Sequence, residues 1–234
     1  MKKRIYLLLL SVTVIFFSCK DKKDKFAEQL FTDVEISVAL KQCIDSAALH
    51  TINALYDKKL GYSYSDPLCR LNFPESANNV IDTLIKYDFK TRINTLTDSL
   101  NSAAGRCGEL LMRTFWRTTI DSIKFPVPNA ILRGGDNAIT NFVKQNYQTE
   151  FVSILVNNLL AAQLNTFVIN EWNNLQNEYR IITGNYSSID ILTPTAQKMV
   201  ADFFRKMALR EADIRKNPTL RGGSNGLFYR VFIF

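Results

Sequence analysis

Apolar residues recur every three or four positions along most of this chain, and this spacing restricts what it can fold into. One run comprises Ile36, Leu40, Cys43, Ile44, Ala47, Ala48, Ile52 and Leu55. A period of about 3.6 residues places such a run on one face of an α-helix. Similar runs occupy residues 77–85, 93–115, 138–143, 150–182 and 199–214, and no segment alternates apolar and polar residues long enough for a sheet. The pattern predicts an all-α fold with about six to eight helices.

Local signals predict where several helices begin and end. Thr32 and Glu35 match a capping box, in which each side chain bonds the backbone of the other residue. Pro74 is expected in the first turn of the second helix, where the helix dipole would favour Glu75. The region 150–182 is expected to form one kinked helix or two. Further predicted N-caps are Asp136, Thr193 and Ser224, and further predicted helix ends are Gly61 and Pro218.

The first 19 residues are typical of a bacterial lipoprotein signal. Met1–Arg4 is positively charged, and the apolar stretch Ile5–Phe17 has 13 residues, against the roughly 20 that a bilayer span needs. Ser18-Cys19 then resembles a lipobox, in which a small residue precedes the cysteine that receives the lipid. We therefore expect residues 1–18 to be a cleaved signal peptide and Cys19 to anchor the mature protein in the membrane. The alternative is an uncleaved N-terminal anchor with an incidental cysteine.

Residues 19–25 are the lipidated cysteine and the charged run Lys20-Asp21-Lys22-Lys23-Asp24-Lys25. A segment without apolar residues cannot pack on a core, so we expect a solvated tether that holds the domain off the bilayer. Lys20 stands where an aspartate is associated with retention in the inner membrane. This difference favours the outer membrane as the place of anchoring within the cell envelope.

Residues 26–234 are expected to form one helical domain, because no Pro-, Gly- or Ser-rich linker divides them. The whole chain carries a net charge of +7, of which the signal peptide holds three positive charges and the tether a net two. The domain is left with +2, too little for the basic stripe of a nucleic-acid-binding domain. We therefore expect a membrane contact through Cys19 and a protein partner in the envelope, and no nucleic acid.

Few residues of the domain fit common catalytic or metal sites. With Cys19 lipidated, Cys43, Cys69 and Cys107 remain, and their spacing fits no metal-binding pattern. Buried thiols are the simpler interpretation, and a single disulfide involving Cys69 is the alternative. His50 is the only histidine and is expected on a helix surface. Because the common nucleotide-binding, nucleophile and zinc motifs are absent, we predict no metal and no cofactor, and enzymatic activity is not favoured.

Four stretches carry recognisable motifs in a fixed order: Leu71–Ser76, Leu100–Ala104, Leu132–Thr140 and Glu211–Pro218, the last followed by Arg230–Phe232. The third contains Gly-Gly-Asp between a helix end and a helix start. Together they resemble the domain-of-unknown-function family 4197 from about Ala39 to Phe232. Three positions depart from that family: Gly105 replaces a glutamate, Arg210 replaces an acidic residue, and Arg221–Ser224 replaces a Thr-rich turn. The resemblance implies an exported helical domain, and it implies no established activity.

The motif residues that could carry a function are Pro74, Glu75, Gly134, Gly135, Asp136, Glu211 and Arg215. Amides that follow a glycine pair at a helix start can hold an anion, although the aspartate of this motif would itself occupy them. Paired carboxylates could carry out acid–base chemistry if one were desolvated. Glu211 and Arg215 lie four residues apart on a predicted helix, where an ion pair is usually solvated. Structural roles are the simpler interpretation of these motifs.

Three functions fit the sequence. The anchor, the tether and the missing catalytic motifs favour a binding or structural lipoprotein of the envelope that acts through a protein partner. Large aromatic residues such as Trp116, Phe151 and Trp172 are typical of a core, but between helices they could also line a cavity, and the chain would then carry an apolar ligand. The third hypothesis is a carboxylate-based enzyme, which requires that the carboxylates of the motifs meet in a cleft.

Overall fold

A computed structural model describes residues 31–56, 62, 69–160 and 167–233, and it confirms the all-α fold class. The α-helices are α1 (Asp33–Tyr56), α2 (Asn78–Lys86), α3 (Lys90–Ser122), α4 (Pro128–Leu132), α5 (Ala138–Ile154), α6 (Phe167–Thr183), α7 (Leu192–Lys216) and α8 (Leu227–Val231). A π-helical segment, Leu155–Leu160, continues α5. One 3-10 turn, Glu75–Ala77, precedes α2, and another, Pro218–Arg221, follows α7.

The described ranges hold nine helices when the π-helical segment is counted, one more than the upper end of the predicted number. Two of them, α4 and α8, have only five residues each. The region 150–182 belongs to two helices, α5 and α6. The predicted signal peptide, Cys19, the tether and the predicted helix end at Gly61 lie outside the described residues. Within the described part, no helix combines the length and the apolar character needed to span a bilayer.

The capping box at the start of α1 is confirmed. The backbone amide of Thr32 donates to Glu35 Oε2 (2.8 Å), and the amide of Glu35 donates to Thr32 Oγ1 (3.2 Å). These reciprocal bonds give partners to two amide groups that a helix start leaves without them. Because the carboxylate accepts from both the backbone and the hydroxyl of Thr32, the pKa of Glu35 lies below its usual range.

The entry into α2 differs from the prediction at Pro74. This residue precedes the helix instead of lying in its first turn, and its φ of −65° and ψ of 154° are extended. Its carbonyl accepts the amide of Ala77 (2.8 Å), which closes the 3-10 turn before α2. Proline fixes φ but not ψ, so it fits an extended residue at a helix entry as well as a helical one. Glu75 lies in this turn and is exposed.

The predicted N-caps at Asp136 and Ser224 are wrong. Helix α5 begins after Asn137, whose side chain makes no capping bond, and α8 begins after Gly226. The amide of Gly226 donates to the carbonyl of Gly223 (2.9 Å), so a tight turn occupies the position where Ser224 would have capped the helix. At α5 the capping group comes from another helix, as described below.

The start of α7 also differs from the prediction. Thr193 was expected to cap a helix that begins at Pro194, but the helix begins two residues earlier, at Leu192. The carboxylate of Asp190 caps it by accepting the amides of Leu192 (2.7 Å) and Thr193 (3.4 Å). Burial raises the pKa of Asp190, but the bonds from Thr193 and from the two amides lower it by more. A carboxylate is a stronger acceptor than a hydroxyl, so Asp190 takes this position.

The centre of the core lies where α1, α3, α5 and α7 pack together. The ring of Phe203 lies 5.7 Å from that of Phe151 and 6.0 Å from that of Trp116, and Phe204 lies 5.5 Å from Phe151. None of these four side chains is more than 1% exposed. Each contributes on the order of 2–3 kcal/mol through burial of apolar surface. The interpretation of the large aromatic residues as core is confirmed for this cluster.

The long helix α3 connects two groups of helices. Its 33 residues span about 50 Å. Near its C-terminal end, the indole N–H of Trp116 donates to Asp45 of α1 (2.8 Å). Near its N-terminal end, Arg92 donates to Glu171 of α6 (2.8 Å), and α6 in turn packs against α2. One helix therefore belongs both to the central core and to the α2–α6 layer.

Two cysteines and the histidine occupy the positions expected for residues without a chemical role. Cys43 and Cys69 are both buried, as the simpler interpretation expected. Cys43 is a free thiol, and the sulfur of Cys69 accepts a hydrogen bond from Nη2 of Arg205 (3.2 Å). The side chain of Cys107 is outside the described part. Burial raises the pKa of the Cys43 thiol, and the nearby Glu211 raises it further. Such a thiol is unreactive at neutral pH. His50 is exposed, as predicted.

Candidate functional site

The Gly-Gly-Asp motif and α7 meet where the ends of two other helices lie side by side. Helix α4 ends at Leu132, and α5 begins only six residues later, at Ala138. Helix α7 packs along α5, and it presents Glu211 and Arg215, one turn apart, to the junction. We call Glu211, Arg215 and the backbone groups that they bond the Glu211–Arg215 clamp.

Glu211 caps α5 from a different helix. Its carboxylate is fully buried, with Oε1 accepting the amide of Ile139 (3.0 Å) and Oε2 accepting the amide of Thr140 (2.7 Å). Both amides belong to the first turn of α5, where no intrahelical carbonyl can reach them. A negative charge at this end also complements the helix dipole. The group that occupies these amides is therefore the carboxylate of Glu211 and not that of Asp136, which the sequence had favoured.

Arg215 caps the C-terminal end of α4. Its Nη1 donates to the carbonyl of Leu132 (2.8 Å) and its Nη2 to the carbonyl of Ile131 (3.2 Å). Its Nε donates to Glu211 Oε1 (2.8 Å), and its guanidinium lies 5.4 Å from the ring centre of Phe232. A cation at the C-terminal end of a helix complements the negative end of the dipole. The two side chains thus connect the end of α4 to the start of α5.

The Glu211–Arg215 pair is buried, which corrects the expectation of a solvated pair. The side chain of Glu211 is 0% exposed and that of Arg215 is 10% exposed. Burial of two charges is costly unless nearly every hydrogen-bonding group has a partner. Here the carboxylate accepts three hydrogen bonds and the guanidinium donates three, so the charges are compensated.

The two glycines of the motif have different roles. A side chain at Gly134 would place its Cβ only 2.6 Å from the Cβ of Ala138 and 3.1 Å from the carbonyl oxygen of Ile131. A Cβ at Gly135 would meet nothing within 4 Å. Gly134 is therefore required because α4 and α5 approach each other closely, whereas Gly135 lies beside open space.

Asp136 lies outside the clamp. Its carboxylate pairs with the ammonium of Lys216 at 2.5 Å, and both side chains are more than half exposed. This bond raises the pKa of Lys216. An exposed pair of this kind contributes little to stability because water screens it. Asp136 therefore links the turn between α4 and α5 to the end of α7 through a surface ion pair.

Arg221 extends the clamp. In the sequence it stands out only as a departure from the pattern of the family that the chain resembles. It is 5% exposed and donates to the carbonyls of Ile214 (2.8 Å), Phe232 (2.7 Å) and Arg215. Burial lowers its pKa, although the nearby Cys43 has the opposite effect. Through these bonds Arg221 fixes α8 to the end of α7. The signal that could have found it is a single arginine between the helix breaker Pro218 and a glycine pair.

Pro74 and Glu75 do not belong to the clamp. They lie at the entry to α2, which packs on α6 and α3, whereas the clamp joins α4, α5 and α7. Glu75 is exposed. Of the seven candidate residues, the structure therefore brings Gly134, Glu211 and Arg215 together, places Gly135 and Asp136 at the surface of the same turn, and leaves Pro74 and Glu75 on another element.

A second buried polar cluster lies earlier in α7, and sequence reasoning missed it. The carboxylate of Asp202 is 4% exposed and lies 2.5 Å from the ammonium of Lys198 and 3.6 Å from the guanidinium of Arg205. Tyr62 donates its hydroxyl to a backbone carbonyl of α7 (3.3 Å). The ring of Tyr56 lies 5.6 Å from that of Tyr62, and burial, together with the charge of Asp202, raises the pKa of Tyr56. In the sequence the charged triplet has the spacing of an ordinary solvated helix face.

Three of the clefts on the described surface are similar in size, and each is open to solvent. A cleft of about 460 Å³ lies between α5 and α7 beside Gln148 and Lys198. One of about 390 Å³ borders Gly222 and Gly223, and one of about 400 Å³ lies between the start of α1 and the segment before α4. Neither Glu211 nor Arg215 lines any of the three. Among the described residues, no group of three or more His, Cys, Asp or Glu side chains is arranged to hold a metal ion.

Comparison with known proteins identifies a family but no characterised relative. No curated protein and no solved structure matches the chain. A family model described as a protein of unknown function, DUF4197, matches residues 30–232. The match includes every helix described above and the whole of the Glu211–Arg215 clamp. The chain therefore belongs to the DUF4197 family.

Proposed function

We propose that this chain is a lipoprotein of the cell envelope, anchored through lipid on Cys19, whose helical domain acts as a binding or structural protein through a protein partner. Outer-membrane anchoring is part of the proposal, because Lys20 follows the cysteine. The sequence of the first 25 residues supports the anchor, and the geometry of the clamp supports a role without catalysis.

The observation that carries the proposal is that the charged groups of Glu211 and Arg215 find their hydrogen-bond partners inside the protein. Each of the three nitrogens at the end of the Arg215 side chain donates to the protein, and both oxygens of Glu211 accept from it. A general acid or base needs a free position next to its substrate, and neither side chain offers one. These motif residues therefore build a scaffold, and we place the function on the surfaces that the scaffold presents.

The packing of the aromatic residues favours a protein partner over a carried ligand. Trp116, Phe151 and Phe203 contact one another at ring distances of 5.7 to 6.4 Å, and none is more than 1% exposed. Aromatic residues that line a ligand cavity present a face to that cavity, whereas these rings pack against one another. The carrier hypothesis would need a cavity elsewhere between the helices.

The anchor is tested by substitution of the lipidated cysteine. In a bacterial host, Cys19→Ala should leave an unprocessed precursor without the mass of the acyl chains, as read by intact-mass spectrometry of the membrane fraction. Cys43→Ala is the matched control, because it removes a thiol of the folded domain and should leave the acyl mass unchanged. Normal processing and acylation of the Cys19→Ala chain would contradict the proposal.

The partner is tested by photo-crosslinking in intact cells of the source bacterium. A benzophenone amino acid is placed at exposed apolar positions, Ile181, Tyr186 and Leu209, and at the exposed Lys144 as a control. We expect one protein of constant mass to be captured from at least one apolar position and not from Lys144. A reproducible small-molecule mass on the native protein, with no protein adduct at any position, would favour the carrier hypothesis instead.

A further inference from the structure

An apolar face lies where α1 begins. Val34 and Val38, one turn apart on α1, are 73% and 42% exposed, and Val127, which lies between the cleft residues Pro126 and Pro128 in the chain, is 58% exposed. Between α1 and the segment before α4 runs a cleft of about 400 Å³, lined by both α1 valines and by Ile123, Phe125, Pro126 and Pro128. We call Val34, Val38, Pro126, Val127 and the cleft between them the α1 face.

The position of this face in the chain limits what can cover it. Only 13 residues separate Cys19 from Asp33, the first residue of α1. Even at full extension a chain of that length reaches only about 45 Å. A lipid on Cys19 therefore keeps the start of α1 close to the bilayer. In this tethered state even a weak contact is populated, because the effective concentration of the surface is high.

The charges around the face suit a lipid surface with anionic headgroups. Lys41 and Lys124 line the cleft together with one acidic residue, Asp33, and the ammonium of Lys41 donates to the backbone carbonyl of Asp121 (3.0 Å). The predicted tether, which precedes α1 in the sequence, contains four lysines and two aspartates. Apolar side chains flanked by lysines are the combination that binds the interface of an anionic membrane, since the valines enter the headgroup region and the ammonium groups remain at its surface.

We propose that the α1 face is a second membrane contact that rests on an anionic lipid bilayer and orients the domain on it. This inference rests on the anchored state proposed above. It adds a fixed orientation, in which the start of α1 and the segment before α4 face the lipid and the rest of the domain faces the solvent. Exposed apolar residues elsewhere, such as Tyr186, then remain free to contact a protein.

The test uses the protein purified from membranes, with its acyl mass read first, in vesicles of phosphatidylcholine containing about one third phosphatidylglycerol. A benzophenone amino acid is placed at Val34, Val38 or Val127, and at Ile181 or Tyr186 as the matched exposed controls. Illumination should produce lipid adducts from the α1 face in yields several-fold above those of the controls. Equal yields at both sets of positions would show that the domain has no preferred orientation on the membrane, and would overturn the inference.

A second experiment tests whether the lysines beside the α1 face contribute to the membrane contact. Lys41→Gln with Lys124→Gln should lower the adduct yield at Val127 about five-fold or more in anionic vesicles, and should have little effect in pure phosphatidylcholine. Lys86→Gln with Lys144→Gln, which removes two exposed lysines elsewhere, should leave the yield unchanged. If Val34 and Val127 capture a protein in intact cells while vesicles give no lipid adduct, the face is a protein interface and the inference is wrong.

The failures of the two proposals are distinguishable. A purified chain without acyl mass refutes the lipoprotein proposal, whatever the adducts show. In that case lipid adducts at Val127 from the same sample still support the α1 face as a membrane contact. An acylated chain without selective adducts refutes the face alone.

Discussion

The carboxylate of Glu211 replaces a local N-cap for α5. A helix start usually takes its capping group from the residue just before it, but here Asn137 makes no capping bond and the cap arrives from α7. The two amides and Arg215 compensate the buried charge. Because the same arginine also bonds the end of α4, loss of either charged group affects three helices at once.

Replacement of Glu211 should therefore be far more costly than replacement of an exposed carboxylate in the same motif. Glu211→Gln keeps the shape but leaves Arg215 as a buried, unpaired cation, so we expect a loss of about 3–5 kcal/mol in the free energy of unfolding. Asp136→Asn is the control, because its pair with Lys216 is exposed and should cost less than about 1 kcal/mol. Urea unfolding followed by circular dichroism measures both. Equal losses would refute the buried clamp.

The two glycines provide a sharper comparison, since the same substitution is made at adjacent positions. Gly134→Ala places a methyl group 2.6 Å from the Cβ of Ala138, so α4 and α5 must move apart, and we expect a loss of about 1–3 kcal/mol. Gly135→Ala meets no atom within 4 Å and should change stability by less than about 0.5 kcal/mol. Thermal unfolding of the two variants measures the difference. A destabilised Gly135→Ala would mean that backbone freedom, not space, is needed there.

The sequence identified the residues of the clamp but not their environment. Glu211 and Arg215 are four residues apart, so their pairing is a local property and could be predicted. Their burial depends on α4 and α5, and the bonds from Glu211 to the start of α5 cross more than 70 residues of chain. No local pattern contains that information. For the same reason Arg221, whose partners Ile214 and Phe232 lie on either side of a turn, was not recognised as buried.

At the scale of helices, the positions of the elements were predicted better than their ends. Apolar periodicity located α1, α3 and α7, because burial of one face decides whether a long helix forms. The capping box of α1 was predicted because all its groups lie within four residues. The caps at Asp136, Thr193 and Ser224 failed, since several polar residues stand near each start and the path of the chain decides which one reaches the amides.

The start of α7 offers a test of this choice. Asp190→Ala should lower the free energy of unfolding by about 1 kcal/mol, because the amides of Leu192 and Thr193 lose their acceptor. Thr193→Ala, at the position favoured by sequence, should cost less. The variants are compared by urea unfolding at neutral pH, and a larger loss for Thr193→Ala would restore the sequence-based assignment.

The same cap predicts a pH dependence. The folded pKa of Asp190 lies below its unfolded value, which is about 4. Its contribution is therefore complete above that unfolded pKa, and it is lost as the pH falls through the lower, folded pKa. The difference in stability between the wild-type chain and Asp190→Ala should be constant from neutral pH to about pH 5 and should decrease below about pH 4. A difference that grows on acidification would contradict the sign.

At the scale of the whole molecule, α3 decides whether the chain unfolds as one unit. Among the described residues, the central core and the α2–α6 layer have few direct contacts other than through this helix, which pairs with α1 through Trp116 and with α6 through Arg92. Periodicity predicted a long helix here, but it could not predict that the helix would serve two layers, since that depends on which helices pack on each end.

A continuous helix of this length should couple the two layers, so we expect a single cooperative transition. The two tryptophans report on the two layers separately. Trp116 is buried against Phe151 and Phe203 in the core, and Trp172 stacks on Phe73 at 5.0 Å in the α6 layer. In Trp116→Phe the fluorescence comes from the α6 layer alone, and in Trp172→Phe it comes from the core alone.

Within each variant, the fluorescence midpoint in urea should coincide with the midpoint from circular dichroism. Because both midpoints come from the same variant, the comparison is independent of any loss of stability caused by the substitution. A fluorescence transition of Trp116→Phe at a clearly lower urea concentration would show that α2 and α6 open first, and that α3 transmits little of the stability of the core.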